Sequence, residues 1–527
     1  MAMKLLRSVA GLQPQSRQIS LEEMIRETTS IIAYLSPTER DDAASGNPRI
    51  DVSAQVQTCI DENKGRRILF PRGYTYYFGN IVLDGSDYDG TNIVIEGDVL
   101  LKSSEKPTPG FAFYAGIVFR GVSRWSLTVR DIHGNRDNQP AWQQIFCVAI
   151  ISCWDFEIPK FHCREIRGDG IYVSKGSAMA NSRGATLGQI SGANLEDDGR
   201  NLLSIISCDD GTLALLLSYR IGGTIGGVNM PGGLDIEPNL KGESVRNWSF
   251  GPLVIYSRGA CGGFQILGRS ETDDAIRDWN CQNLNFSSIE IRRRPGLGGT
   301  ANIIRCRDVT IKCARMSSES DGTEANTAAG WAIDFADRIR ADLSIATTAV
   351  GLQVGISDTV NDSQIAVNVS NYFSSGVVVG HVNNSTLRGT VRDANAAGGN
   401  RFAIRLQQGG RTFENICLTL SIDAPYDGVA ARGIMQTLGI GVLTMTRCVV
   451  KDCDLSGWAL NMQVDLNSVY LNSENVMGRN LKTGLINAPT SGRWAAGDEV
   501  ILDQKAGATV RRVKCVVQGT PGIWKLC

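Results

Sequence analysis

The residues best placed to do chemistry lie in GGLDIEPN, positions 232–239. If Leu234 and Ile236 point inward from a strand, Asp235 and Glu237 stand two residues apart on its outer face, with Cα atoms about 6.6–7 Å apart. Two carboxylates so spaced can flank a glycosidic bond. One, kept protonated, donates to the leaving oxygen, and the other activates water. Pro238 ends the strand and holds Glu237 near a rim. Charges on the outside of a sheet are also ordinary, so the same pair fits plain surface decoration.

The segment LEDDGRNLLSIIS (195–207) adds to the pair. Leu203 and Ile205 fit inward positions, which turns Arg200, Leu202 and Ser204 outward. Glu196, Asp197 and Asp198 come just before. Asp235 lies about one coil further on if the strands stack, and stacked strands run about 4.8 Å apart. Arg200 beside Asp235 or Glu237 then keeps one carboxylate ionised. Arg200 and one of Glu196 or Asp198 are the expected assistants.

Other candidates are more diffuse. GDGIYV (168–173) offers Asp169 and Tyr172, although Asp169 between glycines also reads as a turn residue. DIHGNRDNQPAW (131–142) carries Trp142, whose ring can stack on a sugar face. Trp154, Trp248, Tyr256 and Trp279 are further platforms, about half of them expected in the core. With only His133, His162 and His381 in the chain, neither a Ser-His-Asp triad nor a zinc site is expected. No CxxC and no phosphate-binding glycine loop occurs, so no metal and no cofactor are expected.

These residues need a scaffold that sets them side by side. The chain has 527 residues, 58 glycines, 20% charged residues and a formal net charge of −1. That balance argues against a nucleic-acid partner, which calls for a basic face. No run of 18 or more apolar residues occurs, so no membrane span is expected. The opening MAMKLLRSVAGLQPQSRQ has an apolar run cut short by Arg7, and no cleaved signal is expected. The 14 cysteines mostly stand singly among apolar residues, as Cys147, Cys153, Cys163, Cys208, Cys261, Cys306, Cys313 and Cys417 do. They read as buried free thiols of a protein folded in the cytoplasm.

From about 90 to 475 short apolar runs recur between Gly, Asn, Asp and Ser: NIVIEG, GDGIYVS, NLNFSSIEI, IAVNV, GVVVG. Three runs of about 10 residues make a coil of about 25–35 residues, the pattern of a β-solenoid. The rival all-β fold, an array of sandwiches, calls for Asn-Gly hairpin signals, which are scarce. Ahead of the repeats, SLEEMIRETTSIIAYL (20–35) has helical spacing behind a Ser20/Glu23 capping box. DVSAQVQTCIDEN (51–63) reads as a short amphipathic helix, and ILFPRGYTYYF (68–78) as strand, turn, strand. The last stretch, 488–527, with Trp494 and Trp524, reads as a small antiparallel module. The expected domains are 1–47, a helical attachment or assembly segment; 48–487, the solenoid; and 488–527, the C-terminal module.

The helix followed by FPRGYTY resembles the entry of the pectin-lyase-like β-helix proteins, phage tailspikes among them. RNLLSIIS followed by GLDIEPN resembles a segment of tailspike depolymerases that usually reads RNGISVIS and GIDIEPN. Here Leu202 stands in place of a glycine and is expected to narrow the groove. His133 stands where the family's turn often has Asp. The resemblance implies a right-handed parallel β-helix, a homotrimer, and a glycoside hydrolase acting on a bacterial capsular or exopolysaccharide. It implies a phage tail component attached to tail or baseplate through its N-terminus, or a secreted or periplasmic bacterial enzyme from an exopolysaccharide locus. A polysaccharide lyase and a non-catalytic glycan-binding spike or adhesin are the alternatives on the same fold.

Overall fold

A computed structural model describes residues 28–225, 228–229, 232–257, 262–269, 279–293, 299–318, 329–346, 348–394 and 401–406. Beyond these it describes 412–414, 417–423, 431–436, 443–446, 449–451, 462–464, 469–471, 480–485, 496, 499–502, 511–519 and 523–526. The chain divides into two compact units, residues 1–193 and 194–527.

The first unit opens differently from the helix expected over 20–35. Residues 20–27 lie outside the described residues. Thr28–Ser30 is a strand and Ile31–Tyr34 a single 3-10 turn. The β-branched Thr28 and Thr29 favour extended backbone, and Thr28–Ser30 pairs in parallel with Arg67–Leu69. Part of the segment expected to stand apart therefore joins the sheet. A helix that was not expected follows at Pro37–Ala44. Its signal was present in the sequence: Ser36 and Glu39 form a reciprocal capping box, with Pro37 in the first turn. The expected amphipathic helix runs over Ser53–Glu62 and buries Val56, Cys59 and Ile60. Strands Arg67–Phe70 and Thr75–Phe78 follow, with Gly73 at φ +82° in the turn between them.

Parallel pairing then joins each strand to one a coil later. Arg67–Phe70, Asn92–Leu101, Ser126–His133, Trp154–Arg164 and Ser182–Asp198 form one stack. Ile81–Asp84, Tyr114–Arg120, Ile145–Ile151 and Asp169–Ser174 form a second. Alternate residues of Asn92–Leu101 are buried, as a strand's two-residue period dictates. Inside, Trp125 stacks between Phe119 and Phe156, at 3.8 and 4.9 Å.

The second unit repeats the plan. One stack runs Asn201–Ile205, Gly232–Ile236, Phe264–Leu267, Ala301–Ser318, Ala329–Asp337 and onward to Ala431–Gln436. Another runs Cys208–Ile221, Val245–Ser257, Cys281–Arg293, Ala301–Ser318, Arg340–Ala346, Gln364–Tyr372, Thr386–Ala394 and Cys417–Asp423. A short antiparallel pair, Thr224–Ile225 with Val228–Asn229, is set apart from these stacks. Parallel pairing at full-coil separation makes the fold a parallel β-helix, not a sandwich array.

Corners explain the abundance of Asn and Asp. Asp210, Asn247, Asn283, Asp308, Arg338, Asp362 and Asn384 occupy equivalent corner positions, all with φ between 48° and 59°, a region Asn and Asp tolerate best after Gly. Their side chains form a ladder. Asn247 donates to Asp210 at 2.8 Å, Asn283 to Asn247 at 2.9 Å, and Arg338 to both oxygens of Asp308 at 2.7 Å. At the C-terminal end Glu499–Leu502, Arg511–Val517 and Ile523–Leu526 are antiparallel neighbours, while Glu499–Leu502 also pairs in parallel with Asn480–Leu485. Trp494 lies outside the described residues.

The described cysteines are free. Cys59, Cys147, Cys153, Cys163, Cys208, Cys281, Cys306 and Cys515 are buried and Cys313 is exposed. Cys261 and the Cys417 side chain lie outside the described residues. No helix among the described residues is long and apolar enough to cross a membrane.

Candidate functional site

Gly232–Ile236 lies between Asn201–Ile205 and Phe264–Leu267, and register fixes what meets Asp235. Ser204 is its partner on one side and Gln265 on the other, and Asn302 continues the row. The Asn201 amide nitrogen donates to Asp235 Oδ2 at 3.2 Å and to Ser204 Oγ at 2.9 Å. Gln265 Nε2 donates to Asp235 Oδ1 at 3.2 Å. Asn201 Oδ1 accepts the Gly232 N–H at 3.0 Å. That bond fixes the amide so that its NH2 group faces the carboxylate. Both carboxylate oxygens thus accept from amides, the pattern an acceptor-only, ionised carboxylate uses. Asn201 and Ser204 have no exposed surface, Asp235 is 1% exposed and Gln265 7%.

Glu237 follows the strand and is half-buried. Its N–H donates to the Ile205 carbonyl at 3.2 Å, which holds it against the preceding coil. The chain then turns at Pro238. The buried Glu243 carboxylate accepts the N–H groups of Asn239 and Leu240 at 2.6 and 2.7 Å, and Arg269 donates to the Asn239 carbonyl at 3.3 Å. Asp235 and Glu237 also act on one buried thiol. Burial pushes the Cys281 thiol well above its ordinary range, and Cys306, Asp235 and Glu237 push it the same way, against Arg246.

The other expected residues fall in different places. Arg200 is half-buried just ahead of Asn201, four positions before Ser204. Glu196 is exposed at the end of Ser182–Asp198. That strand is not in the Asp235 stack, so pairing does not bring Glu196 into the row. The Asp197 and Asp198 side chains lie outside the described residues. Leu202, expected outward as a groove wall, has no exposed surface. Asp169 and Tyr172 belong to the first unit. Asp169 is fully buried, and the Tyr172 ring stacks on Phe146 at 4.4 Å. Trp142 is half-buried against Leu101, Tyr114 and Ile145. Tyr256 sits in the neighbouring stack, its ring 5.0 Å from that of Tyr219, which is half exposed.

Trp248 is a correction. It was expected as a sugar platform, but it is fully buried and donates from Nε1 to the Cys208 carbonyl at 2.7 Å. It pairs in register with Gly211, whose missing side chain leaves room for the indole. Trp279 is likewise buried, beside Phe335, while Trp154 is half-buried.

Sequence reasoning missed Asn201 and Gln265. A signal existed for Gln265: GGLDI (232–236) recurs as GGFQI (262–266), which sets Gln265 where Asp235 stands a coil earlier. The structure also assembles a row that the three histidines gave no reason to expect. Ser191 Oγ lies 2.9 Å from His162 Nδ1, and His162 Nε2 lies 3.9 Å from Asp131. The row lacks the means of acyl transfer. Arg164 holds Asp131 at 2.7 Å, Ser191 donates to the Phe161 carbonyl at 3.3 Å, and strand N–H groups committed to the ladder offer no oxyanion hole.

No protein-family model matches the chain, and no curated protein matches it. Among solved structures, the chain is similar to the tailspike protein of E. coli bacteriophage HK620 in complex with pentasaccharide. Identity there is 12% over 96% of this chain and 87% of that one, with a TM-score of 0.34. The Azotobacter vinelandii mannuronan C-5 epimerase A-module is 12% identical over 84% of this chain and 98% of that one, at 0.32. The endo-xylogalacturonan hydrolase from Aspergillus tubingensis is 13% identical over 80% and 92%, at 0.22. Likeness at this level adds nothing to the strand pairings above.

Proposed function

We propose that the protein is an endoglycosidase that hydrolyses a bacterial surface polysaccharide or exopolysaccharide, with Asp235 and Glu237 as its carboxylate pair. The observation that carries this reading is the cradle around Asp235: two amides, one fixed by the Gly232 N–H, hold both oxygens of a carboxylate two residues from a second, more exposed one. Held as an acceptor, Asp235 suits the base that draws a proton from the attacking water. Glu237, at the rim, suits the acid that hands a proton to the leaving oxygen. The C–O bond breaks as the water oxygen bonds the anomeric carbon, and a Cα spacing of about 6.6–7 Å between the two residues allows splayed carboxylates with a water between them, as inversion needs. Arg200, with Glu196 or Asp198, is the proposed support for the pair.

The same reading takes the protein as a homotrimeric tail component, anchored through residues 1–47 and folded in bacterial cytoplasm. The free, buried thiols suit such a reducing compartment. A secreted or periplasmic exopolysaccharide-processing enzyme is the other setting.

One observation favours a second reading. Asp235 has almost no exposed surface, as suits a structural polar row in a spike that binds glycan without cutting it. Digestion of a panel of capsular and exopolysaccharides, with mass analysis of the products, separates the readings. Saturated oligosaccharides whose release is lost in Glu237→Gln support hydrolysis at this site. Products absorbing in the ultraviolet as unsaturated uronates mean a lyase, and an uncut panel means a binding spike.

A further inference from the structure

We propose that the second unit carries a binding groove for an acidic polysaccharide, distinct from the Asp235 row. A cavity of about 440 Å³ opens on the outer side of Ala301–Ser318, Arg340–Ala346, Gln364–Tyr372 and Thr386–Ala394. Two outward rows cross these four coils. In one, Thr310, Arg340, Gln364 and Thr386 are register partners. In the other, Asp342, Ala366 and Arg388 are partners, with Lys312 on the first coil. Ala366 is the shortest side chain of its row, set between Asp342 and Arg388. The floor of the hollow is the strand surface itself, because Ile311, Ala341 and Ile365 turn their side chains into the core and are buried.

Three cations rim this floor. Lys312, Arg340 and Arg388 are all exposed, and the one carboxylate among them is Asp342. Among the described residues none of the three cations is held in an ion pair. Arg338, at the nearby corner, is by contrast bound through both its Nε and Nη2 to Asp308. The groove is therefore locally cationic on a chain of net charge −1.

Spacing suits an extended glycan. Coils rise about 4.8 Å, so cations on the first, second and fourth coils span about 14 Å, the reach of a few sugar residues. Guanidinium groups match carboxylates bidentately, and Thr310, Gln364 and Thr386 add polar side chains that can bond sugar hydroxyls. Nucleic acid fits less well, since the groove lining contains no aromatic ring on which bases could stack. The groove extends the glycan-processing reading, but its test reads binding alone.

Affinity electrophoresis of the full chain in gels containing polygalacturonate, alginate or hyaluronate supplies the test, with dextran and single-stranded DNA as comparisons. We expect retardation by at least one acidic polysaccharide, none by dextran, and release at high salt, where exposed charges are screened. Lys312→Ser/Arg340→Ser/Arg388→Ser should weaken that binding at least 10-fold. Ala366→Trp, which fills the hollow without changing charge, should weaken it as well. Arg72→Ser, which removes an exposed cation of the first unit, should bind as the wild type does, and because binding alone is read, a failed cleavage site and a failed groove give different results. Retardation by no acidic polysaccharide, equal retardation by DNA, or unchanged binding in either groove variant would overturn the proposal.

Discussion

Replacing Asp235 by Asn and by Ala separates the cradle's structural part from its chemical part. Asn keeps the shape. Asn201 cannot turn over, because its Oδ1 accepts the Gly232 N–H at 3.0 Å, so the new side chain must present its oxygen to Asn201 and its NH2 to Gln265. Gln265, 7% exposed, must rotate its amide to accept. The expected loss is about one hydrogen bond or less, roughly 0.5–1.5 kcal/mol. Ala instead removes the acceptor of two amides at a site 1% exposed. Hydrogen bonds to a charged group contribute about 1.5–3 kcal/mol each, so Ala should destabilise by about 3 kcal/mol or more. Thermal melting at a fixed scan rate should show a small shift for Asp235→Asn and a drop of several degrees for Asp235→Ala. With any polysaccharide the wild type cuts, both variants should lose about 10²–10⁴ in rate. An Ala variant as stable as the wild type would refute the cradle. An Asn variant with full activity would refute the catalytic assignment while leaving the cradle intact.

Gly211→Ala should destabilise the protein by about 1–3 kcal/mol, because its Cβ would meet the fully buried Trp248 ring; soluble yield and melting temperature are the measurements. Ellman titration should find 14 free thiols after denaturation. In the native protein Cys313 should react quickly, while Cys59 and Cys153, whose thiols burial pushes up to about 12, should be silent at pH 8. The hydrogen bonds from Arg338 hold the Asp308 carboxyl below its ordinary range. A depressed folded value stabilises above the unfolded titration near pH 4, and the gain is lost as pH falls through the folded value. Melting temperatures of wild type and Asp308→Asn should therefore differ slightly at pH 7 and converge as the pH falls through the depressed folded value.

The solenoid is legible in the chain because its signals are local. Alternation over a few residues sets which side chains turn inward, and Asn, Asp and Gly mark corners that call for positive φ, as at Asp210, Asn247 and Asn283. The helix Ser53–Glu62 follows from the same short-range patterns, whereas Asn201–Ile205 and Gly232–Ile236 are buried on both sides, so Asp235 and Ser204 lack the exposed outer face that alternation gives them. The tertiary structure alone decided what meets what between coils. Asn201 reaches Asp235 across 34 residues and Gln265 reaches it across 30, while other neighbours are linked across only 22, as Asn383 and Asn361 are. Coil length varies because loops vary, and each added or lost residue shifts the register of everything after it. A two-residue period gives the side of the sheet but not the partner on it. Trp248 shows the other limit. Its place inside depends on Gly211, a residue 37 positions earlier that only the stacking of coils brings beneath its ring.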